Sequence, residues 1–137
     1  MESLNYNKKN FDNGGMFINK VQTKKIKIDG QEYYFKFGNY PSGRLKISLC
    51  NKNKEIEVTF NLSDIFLSRD KMLINPLFKN KIGILKKNRI IRDVEGFIMY
   101  NDEDIPVASF NFGILRKYGK NQFNNCLAIM DSEVKYE

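Results

Sequence analysis

Residues 24 to 37 read Lys24-Lys25-Ile26-Lys27-Ile28-Asp29-Gly30-Gln31-Glu32-Tyr33-Tyr34-Phe35-Lys36-Phe37, two alternating runs on either side of Asp-Gly. Asp-Gly between such runs predicts a tight hairpin, because both turn residues must adopt positive φ. A two-residue turn places Ile28 across from Gln31, Ile26 across from Tyr33 and Lys24 across from Phe35. Ile26, Ile28, Tyr33, Phe35 and Phe37 then share one face. Lys25, Lys27, Glu32, Tyr34 and Lys36 take the other, with Lys27 opposite Glu32 as a favourable cross-strand pair.

The same logic extends downstream. Tyr40-Pro41-Ser42-Gly43 has turn chemistry, after which Leu45, Ile47 and Leu49 alternate with Lys46 and Ser48. Beyond the polar loop 51–54, Ile56, Val58 and Phe60 alternate with Glu55, Glu57 and Thr59. A four-residue loop pairs Leu49 with Ile56, Ile47 with Val58 and Leu45 with Phe60, which gathers six apolar side chains on one face. Two hairpins with one greasy face each must be covered.

The expected cover is the segment from Leu62 to Arg92. Ser63 and Asp64 are candidate helix caps, and Asn75-Pro76 places a cap before proline at the first helical position. Leu73, Ile74, Leu77, Phe78, Ile82 and Leu85 would supply its contacts, with Gly83 ending a second helix early. A further strand pair is expected at Phe97 to Tyr100 and Ile105 to Phe112, joined by residues 101–104, with Pro106 restricting the later strand to an edge or a bulge. Cys126 to Met130 is a buried strand or a buried helix; five apolar residues do not decide which. The fold class that follows is α+β and β-rich, an antiparallel meander of about five to seven strands covered by one or two short helices. Residues 1–22, rich in Asn, Lys and Gly, read as an N-terminal arm or loop, and residues 23–137 as a single β-rich domain.

The chain of 137 residues contains no histidine and two cysteines. That removes the commonest general base and zinc ligand. Cys50 and Cys126 show no metal-ligand spacing, and neither has an activating partner, so both read as small core hydrophobes. No phosphate-binding glycine-rich loop of the Walker or dinucleotide type appears in the sequence. Ser68-Arg69-Asp70-Lys71 matches Ser-x-x-Lys, but the companion Lys-Thr-Gly element of acyl-enzyme families is missing. Asp102, Glu103 and Asp104 lack calcium-loop spacing and read as a hairpin loop, whose acids are also placed to imitate phosphates towards a basic partner. The expectation is no catalytic residue, no metal and no cofactor. No apolar run approaches a membrane span and no leader-like segment opens the chain, so no membrane contact and a cytoplasmic location, in the producing or the infected cell, are expected.

Charge is distributed unevenly. The net charge is +7; residues 61–92 carry eight basic and two acidic side chains, residues 93–137 four and eight. A basic middle beside an acidic tail predicts a bipolar surface or two segments folded on each other. Lys71, Lys79, Lys81, Lys86, Lys87, Arg89 and Arg92 form a run with no acidic residue between its ends. Such a run attracts phosphate in a salt-dependent, sequence-tolerant way. Lys25, Tyr34 and Lys36 add a second candidate surface, where the ring would stack a base on an open sheet face.

Tyr40-x-x-Gly43-Arg44-Leu45-x-Ile47-x-Leu49 followed by Val58-Thr59-Phe60-Asn61-Leu62 resembles small accessory proteins carried by conjugative and phage-like elements of low-GC Gram-positive bacteria. The resemblance covers roughly residues 40–84. It implies an accessory role in a mobile element, where small proteins often block host defences by binding. Together these readings predict a non-catalytic binding protein, an anti-CRISPR-like inhibitor of a host nucleoprotein, with a sequence-tolerant nucleic-acid-binding module and a structural protein assembling through sheet edges as alternatives.

Overall fold

A computed structural model describes residues 24–134; the expected N-terminal arm lies outside them. Eight strands form two antiparallel sheets of four, rather than the single meander expected. The first sheet is ordered β1-β2-β3-β4: β1 (Ile26–Ile28), β2 (Gln31–Asn39), β3 (Leu45–Cys50) and β4 (Glu55–Glu57). The second is ordered β5-β6-β8-β7: β5 (Thr59–Phe60), β6 (Lys71–Ile74), β7 (Ile91–Tyr100) and β8 (Glu103–Phe110).

The first hairpin pairs as its sequence predicts, with Ile26 opposite Tyr33, Lys27 opposite Glu32 and Ile28 opposite Gln31. Asp29 and Gly30 take the required positive φ of 52° and 81°. The ladder stops at Ile26, so Lys24 and Phe35 are not a strand pair. In the second hairpin Leu49 faces Ile56, but the returning strand breaks at Val58. There the chain changes sheets. Val58 donates its N–H to Ile47 of β3 at 2.9 Å and accepts from the Asn75 N–H, just past β6, at 2.8 Å. The expected Leu45–Phe60 pair is replaced by Phe60 opposite Leu73, and Phe60 and Ile56 are only half-buried. The fully buried Thr59 hydroxyl restores the bond that Ile47 loses, accepting its N–H at 3.0 Å.

The cover also differs. Between Leu62 and Arg92 the chain forms β6, a 3-10 turn (Pro76–Lys81) and only one six-residue helix, α1 (Ile82–Lys87). Asn75 caps the turn as expected, its side chain accepting from the Leu77 N–H at 2.9 Å. Gly83 lies inside α1 instead of ending it, and Leu77 is 93% exposed. The first sheet is closed mainly by α2 (Phe112–Tyr118) and α3 (Lys120–Glu133), which bury Phe112, Leu115, Tyr118, Phe123, Leu127 and Met130 against it. Cys126 to Met130 is therefore helical. Phe123 meets the rings of Phe37 and Phe112 edge-on, with centroids 5.2 and 5.4 Å away.

The second sheet buries both faces. Met72, Ile74, Ala108 and Phe110 join the main core, whereas Leu73, Ile105 and Val107 form a smaller cluster with Phe60, Leu62, Leu67 and Ile98. Pro106 lies in β8, an interior strand of the sheet, not at the edge. It is accommodated because the partner on that side, β6, ends its pairing at Val107. Bulges fall instead in β7, between Ile91 and Asp93 and between Val94 and Gly96. The β7–β8 turn is Asn101-Asp102, with φ of 51° and 63°, and Glu103 and Asp104 belong to β8 rather than to a loop. Among the described residues no helix is long and apolar enough to cross a membrane.

Candidate polyanion-binding groove

β1 pairs only with the first three residues of β2, so the rest of that strand edge meets other groups. Gln122, in the first turn of α3, accepts the Phe37 N–H at 2.8 Å, and Asn39 donates to the Cys126 carbonyl at 2.9 Å. These bonds seat α3 along β2. Gly119, between α2 and α3, makes the close approach possible: a Cβ there would stand 3.0 Å from the Phe37 ring.

The seam leaves a groove of about 760 Å³ lined by Tyr34, Lys36 and Cys50 on the sheet side and by Lys117, Tyr118 and Lys120 on the helical side. Its lining contains three lysines and no carboxylate. Lys24 adds a fourth cation at the rim, its Nζ 5.2 Å from the centre of the Tyr118 ring. Glu55 reaches Lys36 at 3.3 Å from β4, across the intervening β3, and that hydrogen bond holds its carboxyl below the ordinary glutamate range. No side chain caps α3 and its first turn carries no acid, so the helix dipole reinforces the positive potential. Tyr34 is 43% exposed, with its ring available to a planar ligand.

The thiols beside this groove are not poised as nucleophiles. Burial raises the Cys50 pKa, with Glu55 adding to the effect, and burial raises that of Cys126. Burial also raises the Tyr118 phenol, which remains a neutral donor at physiological pH. Among the described residues no cluster of three or more His, Cys, Asp or Glu could hold a metal ion.

The sequence-predicted site residues divide into two places. Tyr34 and Lys36 stand side by side on β2 in the groove, and Lys25 is exposed just before β1. The run from Lys71 to Arg92 contributes nothing to the groove lining. Lys71 is half-buried in β6, where its carbonyl accepts from Arg44 at 2.6 Å. Folding brings acids to the run: Lys81 meets Asp29 at 2.7 Å, Lys86 meets Asp93 at 3.1 Å, and Arg92 meets Asp70 at 3.2 Å. Lys79, Lys87 and Arg89 form no ion pair among the described residues.

Lys117 and Lys120 were hidden from sequence reading by the acidic average of residues 93–137. Their local signal is Arg116-Lys117-Tyr118-Gly119-Lys120, three cations in five residues around a tyrosine. Comparison of the chain with family models, curated proteins and solved structures finds no match.

Proposed function

We propose that this chain is a non-catalytic binding protein that engages the phosphate-bearing strand of a host nucleoprotein, in the counter-defence role implied by the resemblance of residues 40–84. The observation that carries the reading is the groove between β2 and the α2–α3 junction, where Lys36, Lys117 and Lys120 converge without a lining carboxylate and an exposed Tyr34 stands beside them. Ammonium groups neutralise phosphates whatever the base, and an aromatic ring stacks any base, so this set suits sequence-tolerant binding of an unpaired strand. A volume near 760 Å³ admits a nucleotide-sized segment and leaves the strand free to continue at both ends. Lys87 and Arg89 on the connector contribute longer-range attraction.

Titration of a labelled single-stranded oligonucleotide at several salt concentrations tests this. The double variant Lys117→Glu, Lys120→Glu is expected to weaken binding and to flatten the salt slope by about 1.4, the loss of two single-strand phosphate contacts. Lys86→Glu with Lys87→Glu is expected to do less, because Lys86 already neutralises Asp93. Tyr34→Ala should cost about 1–3 kcal/mol of binding with the salt slope preserved. Wild-type affinity and slope in the groove variant would overturn the proposal.

A further inference from the structure

The N–H and C=O groups of successive strand residues point alternately to the two edges of the strand. On β2, Phe37 sends its N–H to Gln122, on the edge away from β3, so Phe35, two residues before it, presents its own N–H and C=O on that same edge. Neither neighbour reaches them. The pairing of β1 stops at Tyr33, and the α3 contact begins at Phe37. Among the described residues the Phe35 N–H and C=O make no hydrogen bond, although Phe35 is 5% exposed and lines the groove. Tyr118 repeats the pattern beside it. Its ring packs edge-on against Phe35 with centroids 4.8 Å apart, the residue is 7% exposed and lines the same groove, and its hydroxyl has no hydrogen-bond partner among the described residues. Buried amides, carbonyls and hydroxyls are nearly always paired, because an unpaired one forfeits its bonds to water.

Groups of this kind, side by side in a cationic cleft, call for a ligand that both donates and accepts. Phosphate only accepts. The pairing edge of a nucleobase, by contrast, carries a donor next to an acceptor in all four bases, and it is free only where the base is unpaired. We propose that the groove receives one unpaired nucleobase, whose pairing edge bonds the Phe35 N–H and C=O and the Tyr118 hydroxyl while Lys36, Lys117 and Lys120 hold the flanking phosphates. The inference rests on the polyanion reading of the groove and names what the groove selects, an open base edge and hence single strand over duplex. Since every base offers a donor beside an acceptor, the contact tolerates sequence.

Fluorescence anisotropy of the full chain with labelled oligothymidylate tests it against a strand of equal length built from N3-methylthymidine, which keeps the charge and the stacking ring but blocks the pairing edge. The methylated strand is expected to bind about tenfold more weakly with the same salt slope. Tyr118→Phe removes one of the orphaned groups and is expected to narrow the difference to about threefold. The melting temperature of that variant at neutral pH should not fall, since the hydroxyl has no partner to lose. Equal affinity for the two strands with the salt slope intact would overturn the base contact and leave the phosphate-binding groove standing. Absence of salt-dependent binding to either strand would overturn the groove reading and this inference together.

Discussion

Tyr40 is half-buried between the sheets, its hydroxyl 2.8 Å from Thr59 Oγ1, the same atom that receives the Ile47 N–H. Burial raises the phenol above its ordinary value of 10.0, partly offset by the Thr59 hydrogen bond, with Glu57 raising it further. An acid whose folded pKa is raised is harder to ionise in the folded state than in the unfolded chain. Its contribution to stability is therefore complete below pH 10.0 and is lost as pH rises through the folded value. Tyr118 acts with the same sign. Tyr40→Phe is expected to cost about 1 kcal/mol at neutral pH, as a lost buried hydrogen bond, and to make the urea midpoint fall less steeply once pH passes 10.0. Parallel falls in wild type and variant would show that the phenol is solvated. At this scale the sequence is silent on the Tyr40–Thr59 bond. The residues stand nineteen apart, and their meeting depends on a strand break that alternation alone conceals.

Among the elements, the first hairpin was legible because its turn, alternation and charge pairing each demand the same register. β6 was not. Lys71 to Ile74 has three consecutive buried residues with no alternation, since Leu73 and its neighbours point into different clusters. Pro106 misled for a related reason: the rule that confines proline to edges concerns a missing donor, and no donor is required where the pairing of β8 with β6 has already ended at Val107. The helical cover was missed because the buried stripe of α3 is only four residues, Phe123, Cys126, Leu127 and Met130, and the exposed Ala128 and Ile129 join it into an apolar run that reads equally as a strand. Its seat depends instead on one small residue. Gly119→Ala is expected to destabilise the fold by about 1–3 kcal/mol, because the new methyl meets a Phe37 ring already fixed against Phe123. Its φ of −171° is ordinary extended backbone, so the effect is one of space alone. A thermal melt checks the loss. The companion Gly83→Ala, which meets nothing within 4 Å, should be neutral or stabilising.

For the molecule as a whole, the acid-free run illustrates why linear charge counts misplace a surface. Asp29, Asp70 and Asp93 return to it from other elements, while two lysines assigned to an acidic tail converge on Tyr34. Half of the candidate site was thus visible, and the other half needed the third dimension. The joining of the two sheets has its own consequence. Val58 is fully buried and belongs to both, through its N–H on one side and its carbonyl on the other. One peptide segment is therefore the weld between two ladders, and neither can loosen its neighbourhood without straining the other. In hydrogen–deuterium exchange the Val58 amide should be among the last to acquire label, with an opening free energy equal to that of global unfolding, whereas the exposed ends of β1 and β7 exchange through local fraying. If it instead exchanges alongside those ends, the sheets open as separate units, and the chain would unfold in two steps rather than one.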